Sequence, residues 1–315
     1  MDNKFKFNNY GQNAKYDFSP KKAKDNIYRI IVFGDSFTND LALSTAWPET
    51  LHHLLNSRKE FNNTFEVYSF TTDGGGLIQW YTTFKETVDK EFEYDAILLA
   101  DWGNDHFRDW IVVDSTETKY RVLFTKYEDR PQTKEQFEAL ILKAEASADI
   151  KGEKWLDEYA DSLKKNAKPK DLTPSFYYSG DRSSTAELPP GNYMFSKETF
   201  TKRYGEMRYS MLSEIVSICK AKNKDVIYSV IPSLDGLISI EKEGLKLMSQ
   251  VQGEGLCKHF DIHFFDGFEA FKGIDSQSLV DFYWLKYDFH WNLGAATHYA
   301  LKLADWIFKN KIFSV

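Results

Sequence analysis

At 315 residues the chain is long enough for one large domain or two ordinary ones. Its 16% aromatic content, with 25 Phe and 18 Tyr, supplies ample core material and argues against disorder. A formal net charge of −7 speaks against a general nucleic-acid-binding surface, and no apolar run reaches the ~18 residues of a membrane span. The polar start, Met1-Asp2-Asn3-Lys4, has no apolar stretch behind it, so neither a secretory signal nor an anchor is expected and the expected compartment is the cytoplasm. Cys219 and Cys257 have no metal-ligand spacing and form no disulfide framework; they read as reduced thiols.

Residues 1–26 are polar, rich in Asn and Lys, and read as an extended arm before a domain that begins near Ile27 and runs to 315. Arg29 to Phe33 is dominated by branched and aromatic apolar residues, the pattern of a buried parallel strand. Gly34 breaks it, and Asp35-Ser36 follow at the strand's carboxyl end, where open α/β sheets bind ligands. Thr45 to Arg58 carries Trp47, Leu51, Leu54 and Leu55 at helical spacing, with Pro48 near its start. Phe65 to Phe70 is a second strand, Asp73-Gly74-Gly75-Gly76 a sharp loop, and Leu77 to Phe92 a helix with Ile78, Tyr81, Phe84 and Val88 on one face. Ala96 to Ala100 is the most apolar strand and ends in Asp101-Trp102-Gly103-Asn104-Asp105.

Residues 107–199 fit no β–α unit. Within them Gln132 to Lys164 reads as one or two charged helices and Lys168 to Asn192 as a long irregular loop. An insertion of this length, leaving the sheet beside the third strand's end, reads as a cap or an interaction surface. Phe200 to Lys222 then forms a long amphipathic helix, Val226 to Ile231 a fourth strand and Ile262 to Phe265 a short fifth. Asn292 caps a final helix bearing Ala296, Tyr299, Ala300, Leu303 and Ile307. Alternating strands and helices predict a doubly wound parallel sheet.

Three strand ends present groups with chemistry: Ser36, the glycines from Gly74, and Asn104. Asp35-Ser36 alone fits a helix cap as well as a nucleophile. Ester hydrolysis by a serine needs a nucleophile, a base and donors for the oxyanion. Ser36 can attack, while its own N–H, a glycine N–H of the second loop and the Asn104 amide can point at one oxygen. The base is found far along the chain in Asp288-Phe289-His290-Trp291-Asn292, where a carboxylate accompanies an imidazole. Other histidines carry less: His52-His53 lie on the first helix, His259 and His263 straddle the fifth strand, and His298 lies on the last helix. Trp102 and Trp291 flank the site as core packing or as an aromatic wall. Gly74-Gly75-Gly76 lacks the Lys-Ser/Thr of a phosphate loop, and no metal or cofactor is expected.

The Gly34-Asp35-Ser36-Phe37 block, the glycine loop, Gly103-Asn104-Asp105 and Asp288-x-His290 resemble blocks I, II, III and V of the SGNH hydrolases, also called the GDSL family, in the family's order. The similarity spans about residues 27–105 and 200–310. It implies a flavodoxin-like three-layer α/β/α sandwich with a central parallel five-stranded sheet in the order 2-1-3-4-5, and a helical and loop insertion after the third strand. It also implies ester hydrolysis or acyl transfer through an acyl-serine. On that match Ser36 is the nucleophile, His290 the base and Asp288 its orienting carboxylate, while Gly74 and Asn104 join Ser36 as oxyanion donors.

The chain departs from the family pattern in places. Trp102 stands where the third block usually begins with Gly, and Ser69 where the second commonly begins with Asn. Gly75 competes with Gly74 as donor. The usual Asp-x-x-His becomes Asp288-x-His290, with Tyr287 at the commoner Asp position, so a Ser36–His290 dyad stands beside the full triad. The Asp-x-His-Trp form resembles the polysaccharide O-acetyltransferase branch. The expected activity is therefore cleavage of a small acyl ester, first of all an O-acetylated carbohydrate. Transfer to a glycan hydroxyl and non-catalytic binding on the same fold are the other readings.

Overall fold

The computed structural model describes residues 7–40, 43–58, 63–103, 105–107, 110–115, 118–123, 193–244, 246–283 and 290–313, with 133, 135, 136 and 139 between them. Five strands form one parallel sheet: β1 (Ile27–Gly34), β2 (Thr64–Thr71), β3 (Ala96–Asp101), β6 (Asp225–Val230) and β7 (His263–Asp266), in the order β2-β1-β3-β6-β7. This is the order 2-1-3-4-5 of the expected flavodoxin-like sandwich. The register runs Ile27 beside Thr64, Ile30 beside Ala96, Ala96 beside Asp225 and Ile227 beside His263. Every residue of β3 is buried, as its apolar run requires of a strand covered on both faces. The hairpin β4 (Trp110–Ser115) and β5 (Thr118–Leu123) opens the insertion, where no strand was expected. The helices and loop expected across 132–192 lie almost wholly outside the described residues.

Helix α1 (Ser36–Asn39) is a single turn after β1, and α2 (Trp47–Ser57) has Pro48 in its first turn and packs against the carboxyl-terminal helix. Helix α3 (Leu77–Thr83) runs on through a π-helical turn, Phe84–Val88, so the expected helix over 77–92 is present with one wide turn inside it. The helix expected over 200–222 is two helices, α4 (Lys197–Tyr204) and α5 (Glu206–Ala221). Gly205 sits between them at φ +92°, a conformation that glycine adopts cheaply and that ends α4. Helices α6 (Leu234–Glu243) and α7 (Met248–Phe260) fill the β6–β7 crossover, and α8 (Leu293–Lys309) closes the chain.

Residues 7–26 pack on the body instead of standing off as an arm. Ala14 and Phe18 are buried, and the Phe18 ring stacks on Tyr68 at 4.3 Å. Fully buried Arg29 anchors the segment. Its guanidinium donates to the carbonyls of Pro20, Lys21 and Glu93, pairs with Glu66 at 2.7 Å and lies over the Tyr68 ring. Among the described residues no helix is long and apolar enough to cross a membrane.

Candidate active site

Ser36 is the first residue of α1, directly past β1 and its cap Asp35. The Asp35 side chain accepts from the Phe37 N–H at 2.9 Å. Gly34 must be glycine here, because a Cβ would come within 2.1 Å of Thr38 Oγ1 as the turn folds back over it. The sequence therefore makes a tight strand-to-helix turn that leaves the serine side chain half-buried at the sheet edge.

His290 reaches this turn from the far end of the chain. Its Nε2 lies 2.6 Å from Ser36 Oγ across 254 residues of sequence. Three features fix the backbone that carries it. Tyr283 and Trp291 form an antiparallel bridge, the Asn292 N–H donates to the Phe282 carbonyl at 2.7 Å, and the Asn292 side chain caps α8 by accepting from the Gly294 and Ala295 N–H groups. Tyr283 is tied in turn to the Pro232 carbonyl beyond β6. Phe37 lies 4.5 Å from the His290 ring and stacks on Trp102 at 4.9 Å. Trp102 and Trp291 are 6% and 1% exposed, so both pack as core and neither forms an open wall.

The glycine loop is drawn to the same edge. The Thr72 N–H donates to the Gly34 carbonyl at 3.3 Å, and Asn39 Nδ2 donates to Asp73 Oδ1 at 2.8 Å, which joins the loop to the serine turn. Gly74 takes φ +67°, while the Gly76 N–H is held by Gln79 Oε1 at 2.8 Å. On the other side, buried Asp105 accepts from the Trp102 N–H at 2.9 Å and shapes the end of β3. The amino-terminal segment braces this edge too: Asn13 Nδ2 donates to the Asn39 carbonyl and the Thr71 N–H to Gln12 Oε1, both at 2.8 Å.

Of the expected site residues, Ser36 and His290 are in contact and Gly74 lies in the loop joined to the Ser36 turn. Asn104 and Asp288 lie outside the described residues. The other histidines serve elsewhere. His298 Nε2 bonds the Ala270 carbonyl, His259 meets the Tyr209 hydroxyl, and His52 packs beside Tyr16, where burial lowers its pKa. His106, not singled out in the sequence, is buried with its Nε2 2.7 Å from the Tyr228 hydroxyl, which donates to Asp101. Cys219 and Cys257 are buried free thiols, both pushed up in pKa by burial. Among the described residues no group of acidic, His and Cys side chains could hold a metal.

No protein-family model matches the sequence, and no curated protein matches it. Among solved structures, the chain is similar to the YxiM protein of Bacillus subtilis, with a TM-score of 0.45 and 13% identity over 91% of this chain and 57% of that one. It is similar to TesA, with a TM-score of 0.43 and 12% identity over 90% of this chain and 99% of that one. It is also similar to a variant of Axe2, an acetyl-xylooligosaccharide esterase from a Geobacillus, with a TM-score of 0.45 and 13% identity over 90% of this chain and 94% of that one. The chain thus spans a little over half of YxiM and nearly all of the other two. Such likeness concerns the course of the backbone, and the chemistry rests on this chain's own residues. The sheet order is the one that the resemblance to the SGNH hydrolases implies.

Proposed function

We propose that the protein is a serine esterase that works through an acyl-serine on Ser36. The observation that carries this reading is the 2.6 Å approach of Ser36 Oγ and His290 Nε2 at the carboxyl edge of a parallel sheet. With the imidazole proton on Nδ1, Nε2 accepts the hydroxyl proton as Oγ attacks the ester carbonyl. The resulting oxyanion is received by N–H donors, for which we propose Ser36, Gly74 and the Asn104 amide. His290 then returns the proton to the departing alcohol. Water, activated by the same nitrogen, releases the acid and restores the serine. Asp288 is proposed to accept from Nδ1–H, fixing the tautomer and stabilising the imidazolium.

The substrate class follows from the sequence form Asp288-x-His290-Trp291 and is a short acyl ester of a carbohydrate. That same form favours the second reading, transfer of the acyl group to a glycan hydroxyl, which needs the same residues and a site closed to water. Incubation with a nitrophenyl acetate and with acetylated sugars tests the first reading, and adding an acceptor glycan tests the second. Free acid as sole product at every acceptor concentration counts against transfer. Hydrolysis that persists unchanged in Ser36→Ala removes the mechanism altogether.

A further inference from the structure

Asp40 closes the Ser36 turn and touches three separate parts of the chain. Its N–H donates to the Ser36 carbonyl at 3.0 Å, in the left-handed conformation at φ +49°. Its Oδ2 accepts from the Trp47 N–H at the start of α2 at 3.0 Å, and its Oδ1 accepts from Trp291 Nε1–H at 2.8 Å. Asp40 is 5% exposed and Trp291 1%. The indole packs edge-on to Phe37 at 5.6 Å and against Tyr299 at 5.2 Å. Phe37 itself touches the His290 ring.

We propose that Asp40 is a positioning residue for the base: it clamps Trp291 so that the adjacent His290 stays aligned with Ser36. The inference rests on the reading of Ser36 and His290 as nucleophile and base. Ser36 and Asp40 stand one helical turn apart, and consecutive residues 290 and 291 meet them. Two contacts a turn apart fix both the position and the rotation of the 290–291 segment. The bond also satisfies an indole N–H that burial removes from water.

Trp291→Phe keeps an aromatic ring between Phe37 and Tyr299 and deletes the donor; Asp40→Ala removes both acceptor oxygens. Each is expected to lower kcat by about a hundredfold, the cost of roughly 1 Å of misalignment, with KM little changed. The double variant should lose no more than the worse single one, because both break the same bond. The rate at which a fluorophosphonate probe labels Ser36 should fall in parallel. Unchanged kcat in folded variants, or fully additive losses, would overturn the proposal. A crystal structure of Trp291→Phe gives a reading independent of activity: a widened Ser36–His290 distance supports the clamp, and an unchanged one overturns it. Wild-type protein that neither hydrolyses esters nor takes the probe would sink the esterase reading instead, and the crystal distance still decides the clamp.

Discussion

The backbone of Gly76 lies so close to Asp105 that a Cβ on the glycine would stand 2.1 Å from the Asp105 carbonyl oxygen. The obstacle is backbone, so it cannot swing aside. This contact holds the glycine loop after β2 against the end of β3, the two elements proposed to supply oxyanion donors. Gly76→Ala is therefore expected to destabilise the fold by about 1–3 kcal/mol, as overpacking does, and to lower turnover in the fraction that folds. Urea denaturation alongside kcat measures both. Wild-type stability and turnover together would show that the loop and strand end are free to separate.

Asp288→Asn bears on the carboxylate. If Asp288 orients His290, kcat should fall on the order of ten-thousandfold, the loss seen when the orienting Asp of the serine-protease triad becomes Asn, with little change in melting temperature. A loss within about tenfold, with a small drop in stability, would assign Asp288 to capping and leave a Ser36–His290 dyad.

Arg29→Ala should be among the more damaging single substitutions remote from the site. It strips a buried guanidinium from Glu66 and three backbone carbonyls, and the carbonyls are left without that donor. Glu66 keeps partial access to solvent, so the loss comes chiefly from the carbonyls left without a donor and is expected at about 1–3 kcal/mol. The denaturation midpoint reads it. A loss under about 1 kcal/mol, the scale of a surface pair, would show that residues 7–26 are not anchored through Arg29.

Most of the sheet was legible because a parallel strand covered on both faces must be a near-continuous apolar run, and β1 and β3 are such runs. Helix α7 was not legible. Its buried side includes Ser249, Gln250, Gln252 and Gly253, which blur the apolar period, and Gly253 is small because a Cβ there would meet the Phe264 ring at 2.6 Å. The break at Gly205 rests on one backbone angle, and the docking of Phe18 on Tyr68 rests on a contact across the sequence. The meeting of Ser36 and His290 could be expected because each stands in a short block with its own pattern. Asp40 was not, because its partner Trp291 is 251 residues away and neither residue signals the other.

Asp40 also gives a pH signature. Burial pushes its carboxyl from the ordinary 3.8 up to about 8, against the N–H bonds from Trp291 and Trp47 and with added repulsion from Asp35 and Asp73. The folded state thus holds a proton that the unfolded chain has released. That stabilisation is fully present below pH 3.8 and is lost as the pH rises through about 8. Asp40→Asn cannot titrate, so its melting temperature should fall less steeply than the wild type's between about pH 5 and 8. Parallel curves would mean that Asp40 is already ionised in the folded protein at pH 5.

The most direct measurement is mass-spectrometric mapping of a fluorophosphonate adduct in the wild type, Ser36→Ala and His290→Ala. The account predicts one adduct on Ser36 in the wild type, none at that position in Ser36→Ala, and labelling slowed by at least about a hundredfold in His290→Ala, the lower end of what a positioned general base contributes. An adduct on another residue, or labelling of Ser36 at the wild-type rate without His290, would contradict it.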